Sequence, residues 1–305
     1  MLLQIFLYIF VLGIILYYIY PFKKEYFTQK KFAVMWANTY NIGDDFQTLA
    51  AINLLKKNNI HDYSFINREN LINYNGPEVI LIANGWYMHD LSKFPPSNKI
   101  TPIFISMYVN NENLIKNNVT YFKKYEPIGC RDLSTCKLFN KYDIKNYFSG
   151  CLTITFDEYK NKNNKIYIID PEGSNSGKKF SNLDLKNKFK NAEYIYHDQY
   201  DPLIKNNIKK RLKLANNLLD KYKKAKLIIT SRLHAVLPCR AFNTDVKFLH
   251  SNYYGDKRFK GLHNIINGSN NPNIDKIPNK IDRKIINNLK RKIKKDFRDR
   301  IRMYI

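Results

Sequence analysis

Short, uninterrupted apolar runs alternate along the chain with stretches whose apolar residues recur every three to four positions. Residues 32–37 (FAVMWA) form the first run, a polar Gly-containing turn covers 38–45, and Phe46, Leu49, Ala50 and Leu54 then fall on one side of a helix. That is strand, loop, helix. Further runs lie at 78–83 (EVILIA), 102–106 (PIFIS) and 127–130, with helical stretches at 111–117 and 133–140. A second series comprises 165–170 (KIYIID), 193–198 (EYIYHD), 226–230 (KLIIT) and 245–250 (DVKFLH), separated by helices over about 183–190, 204–224 and 235–242. Strands that are apolar throughout, alternating with helices, predict parallel sheets covered on both faces. The polar stretch 157–164 (DEYKNKNN) is too charged for a core element. It divides the chain into two α/β lobes, 31–158 and 159–270, facing each other across a cleft, with binding residues at the carboxyl ends of the strands.

Both termini break this rhythm. Residues 2–20 carry no charge and Gln4 is their only strongly polar side chain, so 1–22 reads as a transmembrane anchor. Tyr17, Tyr18, Tyr20 and Phe22 suit the interface at its end. A cleaved signal peptide would need a basic start and a small-x-small site, and both are missing. Lys23, Lys24, Lys30 and Lys31 favour a cytoplasmic position for the lobes, and a lumenal one stays open. At the other end, 280–305 holds eleven Lys or Arg and three Asp, with Ile285, Leu289, Ile293, Phe297 and Ile301 at every fourth position. This predicts a basic amphipathic helix that packs across the lobes or lies on a membrane surface.

The 305 residues carry a net charge of +25, which points to an anionic partner: a phosphorylated small molecule, an acidic glycan, anionic lipid or nucleic acid. Lys and Asn recur in every loop, however, so much of that charge is background. No zinc-finger spacing, helix-turn-helix or glycine-flanked aromatic sheet motif supports specific nucleic-acid binding. Cys130, Cys136, Cys151 and Cys239 form neither a CxxC pair nor an evenly spaced scaffold and read as buried thiols. No carboxylate or His cluster calls for a metal.

Three strand ends carry candidate chemistry. In Thr230-Ser231-Arg232-Leu233-His234-Ala235 an apolar strand gives way to a helix whose first N–H groups attract anions, with Ser231 placed as its cap. Arg232 supplies a planar fork for phosphate or carboxylate, and His234 exchanges a proton near neutral pH. In Gly129-Cys130-Arg131-Asp132, Asp132 or Ser134 caps the following helix and Arg131 points into the cleft from the other lobe. In Asn41-Ile42-Gly43-Asp44-Asp45, Gly43 permits a tight turn while Asp44 or Asp45 caps the helix or binds a sugar hydroxyl. Asn84-Gly85-Trp86-Tyr87 and residues 148–151 read as further strand-end turns. The loop 256–263 brings Lys257, Arg258, Lys260 and His263 together, a set able to close over an anion.

These motifs, NIGDD (41–45), ANGWY (83–87), PIGCRDLSTCKLF (127–139), YFSGCLTITF (147–156) and TSRLHAVLPCRAF (230–242), resemble the polysaccharide pyruvyl transferase family in their order along residues 32–265. The resemblance implies two Rossmann-like lobes in a GT-B-like arrangement. It also implies transfer of a pyruvyl group from phosphoenolpyruvate to two hydroxyls of a glycan as a ketal, without a cofactor. Its Arg-Leu-His element falls on Arg232, Leu233 and His234, implying donor binding and a catalytic histidine, and its upstream arginine falls on Arg131. Asn84-Gly85-Trp86 departs from the family's run of glycines, and Asn243-Thr244-Asp245 from its small residue before the late strand. Two arginines from facing lobes suit the phosphate and carboxylate of the donor, with His234 as acid or partner base and with Asp44 and Lys260 as further contacts. A nucleotide-sugar glycosyltransferase, and a membrane-tethered protein that only binds glycan or lipid, are the competing expectations.

Overall fold

The computed structural model describes residues 30–87, 90–170, 182–271 and 273–305. The span expected within 1–22 lies outside them, and no helix among the described residues is long and apolar enough to cross a membrane.

The first sheet collects β1 (Lys31–Trp36), β2 (Tyr63–Asn67), β3 (Val79–Tyr87), β4 (Ile100–Val109), β5 (Ile128–Cys130) and β6 (Asn146–Phe148) in the order β2-β1-β3-β4-β5-β6. Every neighbouring pair is parallel. Its helices are α1 (Gly43–Lys56), α2 (Glu112–Lys116), α3 (Val119–Lys124) and α4 (Leu133–Asn140). The second sheet collects β7 (Ile166–Ile169), β8 (Glu193–Ile195), β9 (Leu227–Thr230) and β10 (Asp245–Phe248) in the parallel order β10-β9-β7-β8. With it go α5 (Asn182–Lys188), α6 (Pro202–Lys205), α7 (Ile208–Lys224), α8 (Leu233–Phe242) and α9 (His263–Ile266), and α10 (Arg283–Ile301) ends the chain.

Each sheet reverses its winding once, at β1/β3 in the first and at β7/β9 in the second. The crevice outside the carboxyl ends of strands at such a switch point is where open α/β sheets bind ligands. The β1–α1 loop of the first sheet meets the segment after β8 of the second. Ile42 N–H donates to His197 O at 2.9 Å and Gln199 N–H to Tyr40 O at 2.7 Å.

The lobes share a core. Val34, Phe46 and Ile82 belong to the same buried cluster as Ile169, Tyr222, Ile228 and Phe248. The other face of the first sheet packs separately around Phe104, Phe122 and Phe139. A buried ion pair crosses between α1 and α7, where Arg211 donates to Asp45 from Nε at 3.0 Å and Nη2 at 2.6 Å.

Several expectations from the sequence are corrected. The strand at 78–83 does not stop before Asn84-Gly85-Trp86-Tyr87 but runs to Tyr87 through a bulge at Ala83/Gly85, where Gly85 takes φ +106°, a value that glycine adopts without strain. The helix predicted over 204–224 is two helices, α6 and α7, because Asn207 caps the second by accepting from Lys210 N–H at 3.1 Å. In α10 the buried face is Ile286, Lys290, Ile293, Phe297 and Ile301, while Ile285 is 40% exposed. A strict spacing of four drifts by about 40° per step on a helix of 3.6 residues per turn, so Ile285 rotates out of the stripe that Phe297 and Ile301 define. Lys290 replaces it inside, with Nζ donating to Phe156 O at 2.6 Å and Ala241 O at 3.2 Å.

Candidate active site

The carboxyl ends of the strands enclose a cleft of about 650 Å³. From the first lobe come Tyr40, Asn41 and Asp44 after β1, Trp86 on β3, Tyr108 and Asn110 around the end of β4, and Arg131 after β5. From the second come His197 and Asp198 after β8, Arg232, Leu233 and His234 at the start of α8, and Arg258. Residues 131 and 234, a hundred positions apart, thus reach one site from opposite lobes.

Arg131 leaves β5 with its N–H on Met107 O at 2.8 Å, which fixes the backbone against β4. Its guanidinium lies 4.3 Å from the Tyr108 ring centroid, and the nearest acid, Asp132, is 4.0 Å away. Asp132 is committed elsewhere, accepting from Thr135 N–H at 2.9 Å as the cap of α4, so it neutralises Arg131 only in part. Arg131 Nε is buried without a hydrogen-bond partner.

Arg232 is itself the cap residue of α8, and no side chain caps that helix. The capping role expected of Ser231 is corrected: its hydroxyl turns into the sheet and donates to Asp170 O at 2.6 Å, tying the end of β9 to the end of β7. Arg232 Nε donates to Asp170 at 2.9 Å and Nη2 to Asp198 at 3.2 Å, which holds the side chain extended along the cleft wall.

His234 sits in the first turn of α8, with Nδ1 3.6 Å from Asp44 Oδ1. Burial pulls the imidazole pKa down, but Asp44 and then Cys151 outweigh it, and the net shift is upward. The partners respond. Burial raises the Asp44 carboxyl, His234 more than cancels this, and it ends at about 2, while the Cys151 thiol, also raised by burial, is brought down to about 7 by His234. Asp44 is further held by Thr39 Oγ1, which donates at 2.9 Å. The role of helix cap expected of Asp44 or Asp45 is corrected as well: α1 starts from Ile42 with no side-chain cap, because Asp44 faces His234 and Asp45 faces Arg211. His234 Nε2 is buried and without a partner.

Gly43 makes this proximity possible. A Cβ there would stand 2.9 Å from Asn41 Oδ1, 3.0 Å from His197 Nδ1 and 3.3 Å from His234 Cβ. A larger residue must push the Asn41 side chain aside and crowd both histidines. His197 is a buried neutral imidazole, its pKa lowered to about 3 by burial and then by Arg232, with Nε2 2.7 Å from Tyr222 Oη.

Of the basic loop at 256–263, Lys260, expected as a donor contact, lies elsewhere, as do Lys257 and His263. Lys260 is exposed and does not line the cleft; Arg258, two positions earlier, does. The loop makes one tight turn over Lys257–Phe259, which carries Arg258 inward, where Asp256 holds it from Nε at 3.0 Å and Nη2 at 2.5 Å. The main chain at Lys260 serves instead as a tie between lobes, its carbonyl accepting from Leu133 N–H at 2.9 Å. Sequence reasoning also missed His197, Asp198, Tyr40 and Tyr200. Only the position of His197 and Asp198 just after an apolar strand signals their place in the cleft.

Among the described residues no group of three His, Cys, Asp or Glu side chains could hold a metal ion. The cleft instead offers three arginines against Asp44 and Asp198, with an imidazole whose proton is held more firmly than usual. That is the equipment for binding a small multiply charged anion and protonating it.

Two parallel α/β sheets whose switch points meet across an arginine-lined cleft define a two-lobed α/β protein with its chemistry between the lobes. The chain belongs to the polysaccharide pyruvyl transferase family, whose model matches residues 41–246, more than half of its length, and it is by that class a glycan-modifying transferase. No curated protein matches it. Among solved structures, a functional uncharacterized protein from Klebsiella pneumoniae subsp. pneumoniae NTUH-K2044 aligns with TM-score 0.47 at 14% identity, over 77% of this chain and 89% of its own. MnaA of S. aureus, in a co-structure with UDP, aligns with TM-score 0.43 at 11% identity, over 87% of this chain and 91% of its own.

Proposed function

We propose that the protein transfers the pyruvyl group of phosphoenolpyruvate to two hydroxyls of a glycan, forming a cyclic ketal and releasing phosphate. The observation that carries this reading is the convergence of Arg131, Arg232 and Arg258 on the cleft that also holds His234. Phosphoenolpyruvate has a phosphate and a carboxylate on adjacent groups, and forked guanidinium donors from facing lobes fix both ends and orient the enol between them. His234, whose pKa Asp44 and Cys151 raise, delivers its proton to the methylene carbon. The C2 centre becomes electron-poor and accepts the first sugar hydroxyl, whose proton restores the imidazolium. The C2–O bond to phosphate then breaks, the second hydroxyl closes the ring, and its proton leaves with the phosphate. Asp44 orients His234 rather than touching sugar in this scheme. In this reading the apolar segment 2–20 and the lysines after it hold the lobes at the cytoplasmic face of a membrane.

The test is to incubate the full-length protein with phosphoenolpyruvate and candidate oligosaccharides, and in parallel with nucleotide sugars. Acceptor-dependent phosphate release with gain of a ketal on the glycan is the expected result. Release of nucleoside diphosphate without consumption of phosphoenolpyruvate would replace the donor and with it the proposal.

A further inference from the structure

The cleft is not where cations are most concentrated. A second cavity, of about 560 Å³, opens at the far end of the second sheet, where β9 and β10 begin. Six of its lining side chains are cationic, Lys160, Lys162, Lys226, Arg240, Lys280 and Arg283, against the single carboxylate of Asp245. Background basicity does not explain this. The cleft sets three arginines against two aspartates, and the groove between α1 and α7 sets Lys56 and Lys223 against Asp220. The excess continues along α10, in a groove lined by Lys284, Lys290, Arg291 and Lys294.

The cavity has a fixed floor and a free rim. Arg240 is 3% exposed, with Nη1 donating to Asn279 O at 2.6 Å and Nη2 to Ile266 O at 2.8 Å, and its buried Nε has no partner. Burial lowers its pKa to about 10. Arg283 is anchored on Arg240 O at 2.6 Å and on Glu158 at 3.1 Å, and its Nε is likewise buried without a partner. Asp245 is engaged by Asn279 at 2.9 Å. Lys162 is tied to Lys223 O, Phe242 O and Thr244. Lys160, Lys226 and Lys280 are exposed at the rim, and among the described residues none has a carboxylate partner. Buried guanidinium Nε groups without an acceptor and three free ammonium groups, set against only Asp245 and Glu158, form a net positive site.

We propose that this cavity is a second anion site, separate from the cleft, that takes a phosphate-bearing ligand. The four residues of β9, at about 3.3 Å each, put about 13 Å of strand between its mouth and the carboxyl end of the sheet, beyond which Arg232 stands. The volume admits a group larger than one phosphate, of pyrophosphate or phosphate-ester size. The exposed lysines supply mobile point charges, and Arg240 and Arg283 supply the fixed field.

Titration of the full-length protein with inorganic pyrophosphate tests this independently of the reaction proposed above. In an Arg232→Gln protein, whose cleft is weakened, pyrophosphate is expected still to bind, and adding Lys226→Gln with Lys280→Gln is expected to raise its dissociation constant at least tenfold. Both lysines are exposed, so the fold tolerates the change. Pyrophosphate binding that disappears with Arg232→Gln alone, or that ignores the two lysine substitutions, overturns the proposal. Vesicles containing anionic phosphatidylglycerol identify the source. Displacement of bound pyrophosphate by these vesicles but not by phosphatidylcholine vesicles assigns the phosphate to a lipid headgroup, and pyrophosphate binding that neither vesicle displaces assigns it to a soluble phosphate ester.

Discussion

Two opposing pulls act on the His234 imidazole: burial favours the neutral ring, and Asp44 with Cys151 favours the charged one. The second pull is the stronger, so the folded pKa lies above the ordinary histidine value. An acid that must be protonated loses activity as pH rises through that raised value, which fixes the sign of the alkaline limb. Asp44→Asn removes the larger stabilising charge and leaves burial in command; the alkaline limb of kcat against pH is expected to move to lower pH. His234→Ala is expected to lose at least 100-fold in kcat with the far-ultraviolet circular dichroism unchanged, and wild-type turnover in that variant would remove the imidazole from the chemistry. At the anion end, Arg131→Gln and Arg258→Gln are each expected to raise the apparent constant for phosphoenolpyruvate at least tenfold, whereas Lys260→Gln leaves it unchanged. That contrast marks the limit of sequence reasoning here. The motifs around Arg131, Arg232 and His234 place these side chains at strand ends, and topology brings them together. In the basic loop at 256–263 nothing in the spacing tells which cation faces inward; the single turn at Lys257–Phe259 decides for Arg258.

At the scale of elements, apolar strands were legible because a strand buried on both faces has no polar side to obscure it; the runs at 165–170 and 226–230 correspond to β7 and β9. The edge strand β2 was not, since Ser64 and Phe65 are exposed and its sequence YSFIN has too few buried positions for a pattern. Helix α10 was legible as a helix, and Ile293, Phe297 and Ile301 of its expected stripe are buried, but Ile285 is not. Its true stripe predicts that Phe297→Ala costs about 3–5 kcal/mol, while Ile285→Ala stays within about 0.5 kcal/mol. Urea denaturation of both variants measures this, and equal losses would contradict the register. The Asp45–Arg211 pair was invisible from sequence because its partners lie 166 positions apart. It is wholly buried, and Arg211 also donates to Thr39 O at 2.7 Å. Arg211→Met leaves a buried carboxylate unpaired and is expected to cost about 3–5 kcal/mol. Since Thr39 and Asp45 flank Asp44, the same variant is expected to weaken turnover as well.

For the whole molecule, the sequence reading of two lobes facing across a cleft describes the sheets but not the mechanics. Independent lobes would each enclose a core and meet through a modest polar interface. Here residues of both sheets and of α10 belong to one buried cluster, with Val34 and Phe46 from the first, Ile169 and Phe248 from the second, and Ile293 and Phe297 from the terminal helix. The ties between the lobes are also backbone bonds, from Ile42 to His197, from Gln199 to Tyr40 and from Leu133 to Lys260. Opening the cleft widely would break them and expose the shared core, so the three arginines are held in place around the cleft by the fold itself. This preorganisation is what a site acting by orientation and proton delivery needs. The consequence for folding is cooperative. Heating should give one transition whose calorimetric and van't Hoff enthalpies agree, and residues 31–158 or 159–270 expressed alone should not give a sharp unfolding transition. Two resolved transitions, or a fragment that folds by itself, would mean that the halves are independent and that the cleft geometry is set by hinge motion rather than by the shared core.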